Sequence, residues 1–300
     1  MEKVVITGAT SFIGVHLIEE LLKSECEIYA VVRPNSSNLI RLQPSEKIHV
    51  VELDMNHYSE LADHIGKADA FYHLAWNGAR APLRDDAEIQ KNNYECSLIT
   101  IDQAKKMGCN FFFGSGSQAE YGKMQEYVSE AFDCQPITEY GKYKLKACDS
   151  LMKTAVDAGM KFIWTRIFSI YGQYDYSKTL VMSCIDKMRN NEPVETTAAT
   201  QLWDYLYVKD AAKSMVQFAD KNCESGIYNL ASGEIKPLKD YVTEIKEVLG
   251  SSSELRFGAI PYGPNGPVNL RPDISKVRSV GVLNEITPFK EGIAETIKNL

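Results

Sequence analysis

The chain has 300 residues, of which 44% are apolar and 24% charged, and its formal net charge is −7. This composition is ordinary for a globular protein, and an acidic chain without a basic block is a poor candidate for binding nucleic acid or an anionic membrane. No apolar run approaches the roughly 20 residues that span a bilayer, and the first apolar stretch is too short for a signal peptide, so we expect a cytoplasmic protein.

Cysteine and histidine usage does not indicate a metal site. The seven cysteines are odd in number, scattered and without a C-x-x-C pair, which predicts free thiols in a reducing compartment. The five histidines also lack the spacing of metal ligands. We therefore predict that the protein uses no metal.

Short apolar runs alternate with longer amphipathic stretches over the first half of the chain. Strands are predicted at 3–7, 28–33, 48–53, 70–75, 111–114 and 161–167, and helices at 12–23 and 140–158. Continuously apolar strands that are separated by helices are typical of a parallel sheet covered on both faces. The pattern therefore predicts an α/β fold with a doubly wound parallel sheet, the Rossmann architecture.

The regular alternation ends after residue 167. Proline and glycine gather in 260–267, which is typical of a loop-rich segment. We predict a first domain over residues 1–167 and a smaller α/β lobe over 168–300, with the segment at about 202–230 returning to the first domain.

A glycine-containing turn, GATSFIG at 8–14, connects the first predicted strand to the first helix. Such a turn directs backbone N–H groups and a helix N-terminus at a pyrophosphate. Gly8 allows the tight turn, Gly14 allows close packing of the helix on the strand, and Ser11 stands where glycine is commoner but adds a hydroxyl donor. Its place in the alternating pattern favours a dinucleotide site over an ordinary tight turn. The predicted contacts are Gly8, Thr10, Ser11, Phe12, Ile13 and Gly14.

The end of the second strand indicates which dinucleotide is bound. NAD-binding proteins of this architecture place an Asp or Glu here, about 20 residues after the glycine turn, to hold the ribose 2′-hydroxyl. This chain has no carboxylate there and has Arg33 instead, followed by Asn35 and Ser36. The guanidinium can pair with a 2′-phosphate, and the polar side chains can add hydrogen bonds. We therefore predict NADP(H), with NAD as the weaker alternative and a merely solvated arginine as the alternative without function.

Tyr140 and Lys144 form a Tyr-x-x-x-Lys pair at the start of the predicted helix 140–158. Side chains four residues apart lie on one face of a helix, and the ammonium is expected to lower the tyrosine pKa from about 10. The phenol would then serve as a general acid or base at a carbinol or carbonyl oxygen. The same spacing occurs at 174/178 and 205/209, but the first lies in a polar turn and the second in a strand-like run.

A serine-rich turn, GSGSQAEYG at 114–122, follows the predicted strand at 111–114. Substrates of this architecture bind at the carboxyl edge of the parallel sheet, where such a turn lies. A hydroxyl there can share the reacting oxygen with Tyr140. We therefore predict that Ser117, Tyr140 and Lys144 are the catalytic residues, the alternative being a serine-glycine connection with no chemistry.

Together these residues resemble the extended short-chain dehydrogenase/reductase family, the group of nucleotide-sugar epimerases, dehydratases and reductases. The resemblance covers nearly the whole chain. It includes 7–14, which is similar to the family's TGxxGxxG turn, and 72–76, which is similar to its H-L-A-A strand. It also includes three segments that are similar to the family's R-x-x-N-x-Y-G, R-D-F-x-x-V and R-x-D-x-S-K motifs, at 166–172, 203–208 and 271–276. Ser169 replaces the asparagine of its segment, and Trp203 replaces an arginine that often binds diphosphate.

The resemblance implies further site residues. It implies cofactor contacts from Asp54 (at the adenine), Met55, Leu74, Ala75, Trp76, Asn93, Ser115, Tyr140, Lys144 and Ile167. It implies substrate contacts from Ser117, Gln118, Ser169 and Arg271, with Arg271 as the candidate for the diphosphate. It also implies a homodimer and a nucleotide-sugar substrate in which the hydride moves at C4 of the sugar.

Three reactions of the family compete. Its dehydratases carry Asp-Glu just after the serine-rich turn, where this chain has Gln118 and Ala119, and Glu120 lies one place too late. Its epimerases retain NAD and usually keep the carboxylate that Arg33 replaces. We therefore predict an NADPH-dependent reductase of a nucleotide-linked 4-keto-6-deoxyhexose, as used in polysaccharide biosynthesis. An NAD-dependent 4-epimerase is the alternative, and a non-catalytic NADP-binding regulator is the third.

Overall fold

A parallel sheet is the centre of the computed structural model, which describes residues 1–124, 126–221, 223–263 and 266–300. The strands are β1 (Lys3–Thr7), β2 (Glu27–Val32), β3 (Ile48–Glu52), β4 (Ala70–His73), β5 (Phe111–Ser117), β6 (Lys161–Ile167), β7 (Ser169–Tyr171), β8 (Val194–Thr196), β9 (Leu202–Tyr207), β10 (Gly226–Leu230), β11 (Ile235–Pro237) and β12 (Leu255–Phe257). The helices are α1 (Phe12–Leu21), α2 (Leu61–Ile65), α3 (Ala87–Met107), α4 (Glu139–Asp157), α5 (Leu180–Arg189), α6 (Val208–Asp220), α7 (Leu238–Leu249), α8 (Ser275–Ser279) and α9 (Phe289–Lys298). Short 3-10 helices occupy Ser37–Arg41, Met55–Glu60, Leu83–Asp85 and Gln118–Glu120.

Within the described residues, seven strands form the central sheet in the order β10-β6-β5-β4-β1-β2-β3, and their pairings are parallel. Helices cover both faces, so the predicted doubly wound α/β fold is confirmed. The main difference from the predicted elements is that β5 continues to Ser117. The serine-glycine turn is therefore partly strand, because Ser117 still pairs with Ile167 of β6.

Alternate residues of the strands pack into different apolar clusters. In β1, Val4 and Ile6 join the cluster that contains Leu17 of α1. Val5, between them, joins the opposite cluster, which contains Leu151 of α4. Burial on both faces explains why the strands are continuously apolar rather than alternating.

A smaller α/β lobe follows β6. In it, β9 lies between β7, which pairs in parallel, and β11, which pairs antiparallel, while β8 and β12 form a separate parallel pair. Helices α5, α7 and α9 pack with these strands. They enclose a third apolar cluster, which contains the buried rings of Tyr171, Tyr241 and Phe289.

The chain returns to the central sheet after β9. Helix α6 packs against α1, and β10 pairs with β6 from Gly226 opposite Ile163 to Leu230 opposite Ile167. The segment at about 202–230 is therefore divided between the lobes. Strand β9 belongs to the smaller sheet, and α6 and β10 extend the larger body.

The structure bears on three of the sequence-based expectations, which concern membrane spans, metal sites and cysteines. In the part of the chain that the structure describes, no helix combines the length and apolarity needed to cross a bilayer. Across those same residues, no group of three His, Cys, Asp or Glu side chains is placed to hold a metal ion. The seven cysteines are free, and only Cys134 is more than slightly accessible.

Candidate active site

A cleft of about 570 Å³ opens at the carboxyl ends of β1, β2 and β4. This edge of a doubly wound sheet is where ligands bind. The loop 174–177 from the smaller lobe forms part of the opposite wall. The lining residues are Gly8, Thr10, Ser11, Phe12, Val31, Val32, Arg33, Asn38, Arg41, Met55, Tyr58, Leu74, Ala75, Trp76, Asn77, Arg80, Tyr174, Asp175, Tyr176 and Ser177.

The glycine turn forms one side of the cleft. Gly8 has φ +73°, and a Cβ there would lie 2.8 Å from the backbone nitrogen of Ala75. A Cβ at Gly14 would lie 2.3 Å from the Gly8 oxygen, so α1 packs directly on the turn. Ser11 is the N-cap of α1, and its Oγ accepts a hydrogen bond from Gly14 N at 3.1 Å. This close-fitting turn at a helix N-terminus fits the pyrophosphate of a dinucleotide.

The wall that follows β2 carries two arginines. Arg33 is exposed and lines the cleft. Arg41, at the end of the short helix Ser37–Arg41, also lines it and lies 5.1 Å from the ring centre of Tyr174. Among the described residues, neither guanidinium forms an ion pair with a carboxylate, unlike the paired arginines at 80, 166 and 256. Sequence reasoning missed Arg41, because nothing in the pattern after Arg33 showed where the chain turns back.

Several predicted cofactor contacts lie outside the cleft lining. Asp54 accepts hydrogen bonds from Asn56 N and the His57 ring, and its neighbour Met55 lines the cleft, so the adenine contact of Asp54 stays a prediction. Asn93 uses both ends of its amide on the backbone of Asn77 and so holds the loop after β4, while its predicted cofactor contact stays a prediction. The predicted cofactor residues outside the lining are Ile13, Gly14, Asn35, Ser36, Asp54, Asn93, Ser115, Tyr140, Lys144 and Ile167.

Ser117, Tyr140 and Lys144 lie together beside the cleft. Ser117 ends β5, and Tyr140 and Lys144 lie one helical turn apart near the start of α4. Lys144 Nζ is 5.9 Å from the ring centre of Tyr140, and the Ser117 side chain is near enough to the phenol to act on its pKa. Lys144 is 3% exposed, and its Nζ donates a hydrogen bond to the backbone oxygen of Ser115 at 2.6 Å.

Burial sets the pKa values of this group. Removal from water raises the pKa of Tyr140, while Ser117 and the guanidinium of Arg84 act to lower it. Desolvation lowers the pKa of Lys144 to about 7, although the carboxylate of Glu120 acts in the opposite direction. The predicted lowering of the Tyr140 pKa is therefore wrong, because burial outweighs the groups that act to lower it. A phenol that stays protonated at neutral pH suits the donation of a proton to a carbonyl oxygen.

Replacing Lys144 with methionine is expected to change how stability depends on pH. The pKa of Lys144 is about 7 in the folded protein and about 10.4 in an unfolded chain, so between these values the unfolded chain binds the extra proton. As pH rises above 7, the wild type therefore gains up to about 1.4 kcal/mol of unfolding free energy per pH unit from this group, and Lys144→Met does not. Urea titrations of both proteins from about pH 7 to about pH 9 measure this difference. If the unfolding free energies of the wild type and Lys144→Met changed equally with pH, the lysine would not be desolvated in the folded protein.

A buried ion pair lies beneath the turn that carries Ser117. Glu120 is fully buried, and its two carboxylate oxygens accept hydrogen bonds from Arg166 Nε and Ser117 N, both at 2.8 Å. Trp164 Nε1 donates to the same carboxylate at 3.1 and 3.2 Å. A Cβ at Gly116 would lie 2.2 Å from Trp164 Nε1, so glycine is required for this contact. Glu120 therefore holds the turn in place and is not free to act as the acid of a dehydratase.

The predicted substrate contacts, Ser117, Gln118, Ser169 and Arg271, lie outside the cleft lining. Ser169 and Trp203, the two replacements in the family motifs, bind each other, since Trp203 Nε1 donates to Ser169 Oγ at 3.0 Å. The Arg271 guanidinium lies 4.1 Å from the ring centre of Tyr127. Its Nε is buried and has no hydrogen-bond partner among the described residues.

The two other Tyr-x-x-x-Lys pairs are not arranged for proton transfer. Tyr174 has φ +68° and lies in a loop. Tyr205 lies in β9 and Lys209 in α6, where Lys209 pairs with Glu295. Of the three pairs, only Tyr140 and Lys144 lie on the same helix, and only this pair has a serine turn beside it.

Comparison with known protein families gives this geometry a context. The family model described as "NAD dependent epimerase/dehydratase family" matches residues 4–231. The chain belongs to this family. The resemblance to extended short-chain dehydrogenases/reductases is thereby confirmed, and the protein is an NAD(P)-dependent enzyme of the epimerase/dehydratase type.

Individual members of the epimerase/dehydratase family are similar over nearly the whole chain. CDP-abequose synthase from Salmonella muenchen is 25% identical over 272 residues, which cover 86% of this chain and 85% of that protein. The solved structure of UDP-glucose 4-epimerase from Thermotoga maritima with UDP-glucose has a TM-score of 0.88 at 20% identity, covering 99% of this chain and 98% of that one. UDP-glucuronic acid 4-epimerase from Bacillus cereus in complex with NAD has a TM-score of 0.84 at 20% identity with the same coverage. At these identities the structures show a shared fold.

Proposed function

We propose that the protein is an NADPH-dependent reductase of a nucleotide-linked 4-keto-6-deoxyhexose. The observation that carries this proposal is the pair of arginines, Arg33 and Arg41, on the wall of the cleft after β2. Two cations suit the 2′-phosphate of NADP(H) at the position where NAD proteins of this fold place a carboxylate. The similarity to CDP-abequose synthase supports a nucleotide-sugar substrate and makes CDP-linked keto-sugars the first to test.

The residues around the cleft fit a nicotinamide dinucleotide. The turn 8–14 would hold the pyrophosphate, Arg33 and Arg41 the 2′-phosphate, and 74–76 with Lys144 the nicotinamide half. When bound, NADPH supplies the hydride that adds to the ketone carbon, and it leaves as NADP⁺. The chain itself must then supply a proton and stabilise the charge that develops on the ketone oxygen.

Tyr140 supplies that proton in the proposed mechanism. Its raised pKa keeps the phenol protonated until the oxygen becomes basic, and the proton then moves from Tyr140 to that oxygen. Ser117 donates a hydrogen bond to the same oxygen from a turn that is already fixed, which is preorganised charge stabilisation. Lys144, held by the Ser115 oxygen, stabilises the tyrosinate, which recovers its proton from water. The ketone gains one hydride and one proton and becomes an alcohol.

Replacing Arg33 and Arg41 with alanine tests the choice of dinucleotide. A hydrogen bond to a charged group contributes about 1.5–3 kcal/mol, so each replacement is expected to raise the Kd for NADPH by roughly 10–100-fold. The Kd for NADH should not change, because NADH lacks the 2′-phosphate. Isothermal titration of both dinucleotides measures this, with Arg256→Ala, an exposed arginine of the smaller lobe, as the control. Equal losses for NADPH and NADH would contradict the assignment.

An NAD-dependent 4-epimerase is the second candidate. The similarity of the fold to solved 4-epimerases, including one in complex with NAD, favours it. Denaturing the purified protein and identifying the released dinucleotide separates the two. Stoichiometric NAD⁺ would support the epimerase. A protein that releases none, binds NADPH tightly and consumes it with a nucleotide-linked 4-keto-6-deoxyhexose would support the reductase.

A further inference from the structure

Trp76 stands between the cleft and the catalytic group. Its indole lines the cleft, and its ring centre is 3.7 Å from Lys144 Nζ. It also meets the ring of Tyr140 edge to face, with 6.1 Å between the ring centres and an angle of 89° between the planes. A single side chain therefore contacts both proton-handling groups and faces the volume in which a ligand would bind.

Buried amides of α3 hold this indole in place. Trp76 Nε1 donates to Gln90 Oε1 at 2.7 Å, and Gln90 Nε2 donates to two backbone oxygens of the loop 78–83, at 2.9 and 3.0 Å. Asn93, one turn along, holds the backbone of the adjacent Asn77. Gln90 and Asn93 are both 0% exposed. A buried network whose members are hydrogen-bonded fixes a single arrangement, so the indole is rigid.

The phenol of Tyr140 can therefore be approached from a restricted set of directions. The Trp76 indole closes one side, and the guanidinium of Arg84 lies 4.9 Å from the centre of the Tyr140 ring. Arg84 is a long, partly exposed side chain that can move, whereas Trp76 is fixed at its ring nitrogen. A sugar ring that brings its ketone oxygen to Tyr140 must place one edge against the indole.

We propose that Trp76 is a specificity-determining residue that lets the keto-sugar bind with only one face toward the hydride donor. This inference rests on the proposed function. A ketone is planar, and hydride addition to its two faces gives the two C4 epimers of the alcohol. Two orientations of the sugar keep the oxygen at Tyr140, and they place different edges of the ring against the indole. A rigid wall at that point accepts one edge and excludes the other.

The test compares the C4 epimers made by the wild type, Trp76→Phe and Trp76→Ala. A CDP-linked 4-keto-6-deoxyhexose is reduced with NADPH, and the products are separated and assigned by NMR. The wild type is expected to give one epimer. The ratio of the major to the minor C4 epimer should fall by roughly tenfold or more in Trp76→Ala and by less in Trp76→Phe. An apolar contact of this kind discriminates between two bound orientations by roughly 10–200-fold. Phe257→Ala, which removes an exposed ring outside the cleft lining, should keep the wild-type ratio.

A second readout does not depend on turnover. The chain has three tryptophans, so NADP⁺ binding can be followed by intrinsic fluorescence in the wild type, Trp76→Phe and Trp203→Phe. Most of the change should be lost in Trp76→Phe and retained in Trp203→Phe, because only Trp76 lines the cleft. Thermal unfolding of each variant shows that it is folded.

The outcomes separate this inference from the proposed function. If none of the nucleotide-linked keto-sugars supports NADPH oxidation by the wild type, the reductase proposal fails and this inference fails with it. The fluorescence measurement still shows in that case whether Trp76 faces the dinucleotide. If the wild type reduces the sugar and Trp76→Ala forms the same single epimer, only the role of Trp76 is overturned. A fluorescence change that persists undiminished in Trp76→Phe overturns it as well.

Discussion

Turnover is expected to fall by roughly 10²–10⁴-fold when Tyr140 is replaced by phenylalanine, because the reaction loses its general acid. The ring that packs against Trp76 and Arg84 is retained, so folding and NADPH binding should not change. The measurement is steady-state oxidation of NADPH with the keto-sugar, accompanied by a separate determination of the Kd for NADPH. The loss should appear in kcat rather than in that Kd.

Tyr143 on the same helix provides a matched control. Its ring centre lies 6.2 Å from that of Tyr94 and 5.8 Å from Lys146 Nζ. Tyr143→Phe likewise removes one tyrosine hydroxyl from α4, and this variant should retain wild-type turnover. Full activity in Tyr140→Phe, or an equal loss in both variants, would remove Tyr140 from the mechanism.

Replacing Glu120 with alanine is expected to lower the free energy of unfolding by about 3–5 kcal/mol. The replacement leaves Arg166, which is 3% exposed, as a buried charge without its partner, and removal of one member of a buried pair carries a cost of about this size. It also removes the acceptor for Ser117 N, so turnover should fall together with stability. Urea unfolding of both proteins measures the free energy.

Two further variants show whether the buried charge is the cause. Glu120→Gln keeps the shape of the side chain and an acceptor for Ser117 N, and we expect a smaller loss of stability than in the alanine variant. Combining Glu120→Gln with Arg166→Met should cost less than the sum of the single replacements, because the two groups interact directly. Glu254→Ala, which breaks an exposed pair with Arg256, should cost less than about 1 kcal/mol. A comparable loss at Glu254 would contradict this account.

The sequence predicted the central sheet because its signal is local. Strands such as β1 are apolar on both faces, and turns with glycine separate them from helices, so the six strands β1 to β6 could be located within a few residues, whereas β10 was not predicted. The pairing of Tyr140 with Lys144 is also local, since a helix places residues four apart on one face. The prediction used only the helix period and the serine turn that precedes it.

The contacts that depend on the register between strands and on distant loops could not be predicted. Glu120 meets Arg166 because β5 and β6 pair in parallel with Gly116 opposite Arg166, and nothing near either residue shows this register. The predicted direction of the shift in the Tyr140 pKa was wrong for a similar reason. It depends on how much water the folded chain excludes, which the spacing of Tyr140 and Lys144 does not reveal.

Strand β10 has a consequence for how the molecule can be divided. This strand forms the outer edge of the sheet beside β6, although it follows the first strands of the smaller lobe in the chain. Helix α6, which precedes β10, packs against α1 of the larger body. A fragment that ends at Ile167 would leave the edge of β6 unpaired and an apolar face of α1 open to water. Residues 1–167 are therefore not an independent module, because a chain that ends there lacks β10, an outer strand of the central sheet. The interwoven chain makes cooperative melting of both lobes the expected behaviour.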